Sequence, residues 1–115
     1  MATILLIEDE AQVIAFMTKG LERAGYQVQA VQDGKQALPL ALSGEFDLIL
    51  LDLGLPSLNG QSVLKKIRGQ QLETPVIVVT ALNVEPDQIL ALGANDYISK
   101  PFRFSELLAT IRSYI

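Results

Sequence analysis

The chain has 115 residues, half of them hydrophobic and 19% charged, with a net charge of −4 and no Cys or His. This length fits one domain with a buried core. The absence of Cys and His excludes disulfides and metal sites with thiolate or imidazole ligands. The nine Lys and Arg residues are scattered, which argues against direct nucleic-acid binding. No apolar run approaches the ~18 residues that a membrane span needs and no basic signal segment opens the chain, so we expect a cytoplasmic protein.

Apolar segments of strand length alternate five times with segments of helical periodicity, which is typical of βαβ units. The predicted strands are 3–7, 27–31, 47–51, 75–79 and 96–98. The predicted helices are 11–24, 34–43, 61–68, a segment between 85 and 93, and a segment from about residue 104 to the C-terminus. The pattern predicts one α/β domain over residues 1–115, with a parallel sheet covered by helices on both faces.

Two of the predicted helices carry local signals of their own. Asp33 is a suitable N-cap for the second helix, but Pro39 lies inside that helix. Because proline deletes an i→i−4 hydrogen bond, we predict an irregular second helix. The fifth helix has no C-cap signal before Ile115, which is consistent with a chain that continues into another domain.

Acidic residues follow the first and third strands. Glu8, Asp9 and Glu10 come directly after the first strand, and Asp52 comes directly after the third. If the two strands are neighbours, Glu8, Asp9 and Asp52 meet at one edge of the sheet, where the mutual repulsion of their carboxylates favours a bound cation. Oxygen ligands alone favour Mg²⁺ over zinc. Taken by themselves, the acids after the first strand fit equally well as caps of the next helix.

The last two strands add a hydroxyl and an ammonium group to the same edge. The β-branched fourth strand is followed by Thr80 and Ala81, and the fifth strand runs into Lys100 and Pro101. Three acids, one hydroxyl and one ammonium group form a set that can hold a metal ion and a transferred phosphoryl group together.

With these residues the whole chain resembles a response-regulator receiver domain, the phosphoacceptor module of two-component signalling. The motifs that carry the resemblance are Glu8-Asp9, Asp52 with Pro56 and Gly60, Thr80-Ala81, and Tyr97-x-x-Lys100-Pro101-Phe102. The resemblance implies a doubly wound, flavodoxin-like sheet with the strand order 2-1-3-4-5. It also implies a cis peptide bond between Lys100 and Pro101.

The chemistry that the resemblance implies is phosphoryl transfer to the protein itself. Asp52 would attack the phosphohistidine of a histidine kinase or phosphotransfer protein, and Lys100 would contact the phosphoryl group. Asp9, Asp52 and the Gly54 carbonyl would bind Mg²⁺, with Glu8 acting through a water molecule. The resemblance implies that Thr80, Ala81 and Tyr97 form the conformational switch that responds to phosphorylation. The switch would change binding to a downstream protein or a fused output domain, with no enzyme activity beyond self-phosphorylation and self-dephosphorylation.

Departures from the resembled pattern concern the partner-binding face. Asn59 stands where many relatives have Asp, and the stretch from Thr80 to Tyr97 is about two residues short, so we predict a short or reshaped fourth helix. In winged-helix relatives that form parallel dimers, an acid and an Arg are expected where this chain has Asn95 and Thr110. We therefore predict a monomer or a weak dimer.

Two alternative functions use the same residues differently. A pseudo-receiver would bind partners without phosphorylation, although the acidic residues and the lysine are all present. An aspartate-nucleophile phosphatase would need a general acid two residues after Asp52, where this chain has Gly54. A nucleotide-binding fold is disfavoured because no glycine-rich phosphate loop follows a strand.

Overall fold

The computed structural model describes residues 1–115 and contains one five-stranded parallel sheet in the order β2-β1-β3-β4-β5. The elements are β1 Thr3–Ile7, α1 Ala11–Arg23, β2 Gln27–Val31, α2 Gly34–Leu42, β3 Leu48–Leu51, α3 Gly60–Gly69, β4 Val76–Thr80, α4 Pro86–Ala91, β5 Asp96–Ser99 and α5 Phe104–Arg112. The predicted fold and strand order are confirmed. No helix is long and apolar enough to cross a membrane.

The three central strands form the core because their apolar runs are buried on both faces of the sheet. Alternate residues, such as Leu5 and Leu51, pack on one face against α2, α3 and α4. The intervening residues, such as Leu6 and Leu50, pack on the other face against α1 and α5. The period of two along each strand therefore divides one apolar run between two helical layers.

The register of β1 and β3 aligns the residues that follow them. Ile7 pairs with Leu51, and the Asp52 N–H donates to the Ile7 carbonyl at 2.9 Å. The next residues of the two strands, Glu8 and Asp52, therefore emerge side by side. Since β1 connects to β2 on one side and pairs with β3 on the other, the winding reverses at this point and leaves a crevice.

Pro39 does not break α2, which runs continuously from Gly34 to Leu42. Proline at this position removes the hydrogen bond that residue 39 would donate to the Lys35 carbonyl. Both Lys35 and Pro39 are exposed, so water can satisfy that carbonyl. The predicted cap is confirmed, since an Asp33 carboxylate oxygen accepts from the Gln36 N–H at 2.8 Å.

The segment between α3 and β5 is held by a hydrogen-bond network around Arg68. The Arg68 guanidinium donates to the Gly93 carbonyl at 2.8 Å and to the Asn95 side-chain oxygen at 2.8 Å. The same Asn95 oxygen accepts from the Val76 N–H at 2.9 Å. Asn95 is therefore an acceptor within the chain, and it ties the end of α3 to the start of β4. As predicted, the intervening α4 is short, with six residues.

Asn59 has a local role at the start of α3. Its side-chain oxygen accepts from the Ser62 N–H at 2.9 Å, which makes Asn59 the N-cap. We expect Asn59→Ala to lower the free energy of unfolding by about 1 kcal/mol, because one N–H of the first turn loses its acceptor. Asn59→Asp keeps a cap acceptor and should stay close to the wild type. Urea unfolding measures both variants, and an equal loss in both would contradict the capping role.

Candidate functional site

The predicted site residues meet in a cleft at the carboxyl ends of the central strands. The cleft has a volume of about 180 Å³ and is lined by Asp9, Glu10, Asp52, Gly54, Thr80, Ala81, Leu82 and Lys100. Glu8 follows β1 and is buried, with 1% of its surface exposed. It does not line the cleft itself but accepts a hydrogen bond from Lys100, which does. Tyr97 is half-buried on β5, packs against the core under α3 and α4, and does not line the cleft.

Lys100 joins the two carboxylates that follow β1 and β3. Its ammonium group donates to a carboxylate oxygen of Glu8 and, at 3.2 Å, to Oδ2 of Asp52. The backbone aims this side chain, since the Lys100 N–H donates to the Thr80 carbonyl at 2.9 Å and extends the pairing of β5 with β4. The Lys100–Pro101 peptide bond is cis, as predicted.

Asp52 is held at both carboxylate oxygens. Oδ2 accepts from Lys100, and Oδ1 accepts from the Gly54 N–H at 3.1 Å. The loop after Asp52 folds back tightly to begin α3. A Cβ atom at Gly60 would lie 2.4 Å from the Asp52 carbonyl oxygen, so only glycine permits this approach.

The two buried carboxylates differ in their affinity for a proton. Burial raises the pKa of Glu8 to about 7. The hydrogen bonds from Lys100 and from the Glu10 N–H lower this pKa, and the negative charge of Asp52 raises it, but burial has the largest effect. Burial also acts to raise the pKa of Asp52, but the Gly54 N–H, the Thr80 hydroxyl and Lys100 together lower it below its ordinary value. Burial opposes charge on Lys100, but Glu8 and Asp52 outweigh it and raise the pKa of Lys100. Asp52 is therefore the carboxylate that stays ionised.

Two groups of oxygen atoms could hold a hard cation. Asp9, Asp52 and Gly54 line the cleft together, as the sequence predicts. The carboxylate oxygens of Glu8, Asp9 and Glu10 lie within 4.8 Å of one another. Both oxygens of Glu8 are already acceptors, one from Lys100 and one from the Glu10 N–H at 3.1 Å. Both oxygens of Asp52 are acceptors too, so this does not separate the groups. Asp9, Asp52 and Gly54 all line the cleft, however, whereas Glu8 does not, and the first group is therefore the better fit for Mg²⁺.

Thr80 is the last residue of β4 and is fully buried. Its hydroxyl oxygen accepts from the Leu82 N–H at 3.2 Å, which holds the loop after β4 against the strand end. The sequence prediction did not assign Glu10 or Leu82 to the cleft. Their only sequence signal is that they lie two residues beyond a site residue, and that spacing does not determine where a loop turns.

Comparison with known proteins gives a consistent result. The response regulator receiver domain family matches residues 4–112. The transcriptional regulatory protein HprR of Escherichia coli is 46% identical over 114 residues, which cover 97% of this chain and 51% of that protein. The response regulator ArlR of Staphylococcus aureus is 45% identical over 117 residues, which cover 100% of this chain and 53% of that protein. The chain thus spans about half the length of these curated relatives.

Solved structures share the fold closely. The Francisella response regulator 1452 receiver domain has a TM-score of 0.94 and 32% identity, over 99% of this chain and 96% of that one. The receiver domain of the sensor histidine kinase PA1611 from Pseudomonas aeruginosa has a TM-score of 0.89 and 36% identity, over 98% of this chain and 96% of that one. That structure has a magnesium ion coordinated in the active site cleft.

The ion pairs of Lys100 predict a stability effect. Lys100→Met leaves Glu8 and Asp52 without their shared counter-charge, so we expect the free energy of unfolding to fall by about 1–3 kcal/mol. Adding Glu8→Gln should recover part of that loss, because it removes one of the two like charges. Urea unfolding of the single and double variants measures this coupling. The exposed Lys66→Met is the control, and an equal effect in Lys66→Met and Lys100→Met would contradict the role of the ion pairs.

Proposed function

Because the chain belongs to the family of response regulator receiver domains, we propose that Asp52 accepts a phosphoryl group from a histidine kinase or phosphotransfer protein and that this switches partner binding. The observation that carries the proposal is the position of Asp52 in the cleft, between the Lys100 ammonium group and the Gly54 N–H. The chemistry is confined to the protein's own side chain, as self-phosphorylation and self-dephosphorylation.

The contacts of Asp52 suit it to attack phosphorus. Its lowered pKa keeps it ionised at neutral pH, so a carboxylate oxygen can form the new bond while the bond from phosphorus to the donor imidazole breaks. Lys100 lies beside the attacking group and would neutralise charge on the transferred oxygens. The Thr80 hydroxyl lines the same cleft, and because it only accepts from the Leu82 N–H, its own hydrogen can be donated to one of those oxygens.

The donor set of the cleft fits Mg²⁺. Asp9, Asp52 and the Gly54 carbonyl would hold the ion, with Glu8 acting through a water molecule, and these are the hard oxygen ligands that Mg²⁺ prefers. When bound, Mg²⁺ would neutralise charge on the phosphoryl oxygens and reduce the repulsion among the carboxylates.

Thr80, Ala81 and Tyr97 form the proposed switch. The Thr80 hydroxyl holds the Leu82 N–H, so a movement of Thr80 toward a phosphoryl group would release the loop that leads to α4. Ala81 is small and leaves room above Asp52. Tyr97 lies on β5 opposite Val78, so it is placed to respond to a shift at the end of β4.

The partners follow from the same proposal. In a protein of the relatives' length the receiver would act on the rest of the chain, as an output domain beyond residues 1–115, and otherwise it would act on a separate protein. The cytoplasmic location and the monomeric or weakly dimeric state expected from the sequence stay predictions.

The first experiment tests the site of phosphorylation. We expect incubation with a small phosphodonor and Mg²⁺ to add the mass of one phosphoryl group to the wild-type protein and none to Asp52→Asn. Intact-mass spectrometry measures the addition. The exposed Asp87→Asn is the matched control and should react like the wild type. A phosphorylated Asp52→Asn protein would disprove the assignment.

The second experiment tests the metal ligands. Since Mg²⁺ would bind only the folded protein, an excess of about a hundredfold over Kd should stabilise it by about 2.7 kcal/mol and raise Tm. Asp9→Ala should lose this shift, whereas Glu10→Gln should keep it, because Glu10 is outside the proposed set. Thermal unfolding with and without Mg²⁺ measures the shifts. If Glu10→Gln lost the shift and Asp52→Asn kept it, the cluster of Glu8, Asp9 and Glu10 would be the metal site instead.

A further inference from the structure

The two edges of the sheet are protected to very different degrees. β5 carries Asp96 and runs into Lys100 and Pro101, and the Tyr114 hydroxyl donates to the Asn95 carbonyl at 2.8 Å beside it. Charge, proline and a covering side chain are the usual means of blocking an edge strand. β2 lacks the first two, because residues 24–32 contain no charged residue and no proline.

The outer backbone groups of β2 are free to pair. The Gln27 N–H donates to the Ala2 carbonyl, and the Val31 carbonyl accepts from the Glu8 N–H, so residues 27 and 31 turn their polar groups toward β1. Backbone groups alternate in direction along a strand. The N–H and C=O groups of Val28 and Ala30 therefore point away from the sheet, and no other strand covers them.

A groove runs beside this edge, between α1 and β2. Its volume is about 650 Å³, and it is lined by the small or apolar side chains of Ala11, Ile14, Ala15, Thr18 and Ala30 together with the charged side chains of Lys19, Glu22 and Arg23. The Thr18 hydroxyl oxygen is buried and has no hydrogen-bond partner. Small side chains at the edge allow a neighbouring element to approach closely.

We propose that β2 pairs antiparallel with β2 of a second copy of this chain, centred on Gln29, so that the two sheets join into one. A two-fold axis at Gln29 sets Val28 opposite Ala30 of the other copy, and each of these pairs exchanges its outward N–H and C=O groups. The exposed Gln29 then lies opposite its own copy.

The side chains favour a second copy over another protein. An amide both donates and accepts, so Gln29 is complementary to itself, whereas a Lys or Glu at this place would repel its copy. Segment 24–32 carries no charge, so no like charges face each other along the paired strands, and the groove beside it carries both signs of charge on Lys19, Glu22 and Arg23. A single edge pairing with a groove contact buries little area, so the dimer is weak and depends on concentration.

Charge exchange at Gln29 tests the pairing. Sedimentation equilibrium of the unphosphorylated chain, up to about 1 mM, should show a mass that rises with concentration. Gln29→Lys and Gln29→Glu should each raise the dimer Kd about two- to fivefold, because like charges then face each other. An equimolar mixture of the two variants should associate again, which a merely misfolded variant would not do.

The control places the same charges on another face. Gln88 is exposed on α4, so Gln88→Lys and Gln88→Glu should leave the dimer Kd unchanged. Loss of association in the Gln88 variants with retention in the Gln29 variants would overturn the proposal in favour of the α4 face. A monomer over the whole concentration range would also overturn it, since the edge would then serve a different protein or none.

Discussion

The Lys100 ammonium group lies between the carboxylates of Glu8 and Asp52, and the arrangement of the cleft depends on this contact. The three residues follow β5, β1 and β3, so one cation joins three strand ends. Without it, two nearly buried acids would face each other with no counter-charge, and one of them would take up a proton. Together with the Gly54 N–H and the Thr80 hydroxyl, the cation thus keeps Asp52 ionised while Asp52 is largely removed from water.

The same contact links the resting protein to the proposed reaction. A phosphoryl group on Asp52 brings new anionic oxygens beside Lys100, and these compete with Glu8 for the ammonium group. Glu8 can adapt to that loss because burial already raises its pKa to about 7. In the proposed reaction, Glu8 would therefore take up a proton rather than stay as an unpaired buried charge.

The network around Arg68 limits how far such a rearrangement can spread. Arg68 and Asn95 fasten the start of β4 and the turn before β5, at the opposite end of the sheet from the cleft. The segment between Thr80 and α4 has no comparable anchor beyond the hydrogen bond from Leu82 to Thr80. Motion is therefore expected near the cleft, where the fold leaves α4 short and its loop exposed.

The elements and the residues at the strand ends could be predicted from the sequence, because apolar runs and capping residues act over a few neighbouring positions. The strand order was predicted through the family resemblance. The sequence indicated that Glu8, Asp9, Asp52, Thr80 and Lys100 belong together, and the structure brings Asp9, Asp52, Thr80 and Lys100 into one cleft with Glu8 behind them.

Only the tertiary structure decided the remaining features. Lys100 contacts Asp52 across 48 positions and Glu8 across 92, and no local pattern determines which oxygen it binds. The continuous α2 through Pro39, the place of Leu82 in the cleft and the unprotected edge of β2 also depend on which groups face water. Water exposure is set by how the sheet and helices pack, and periodicity along one segment does not contain that information.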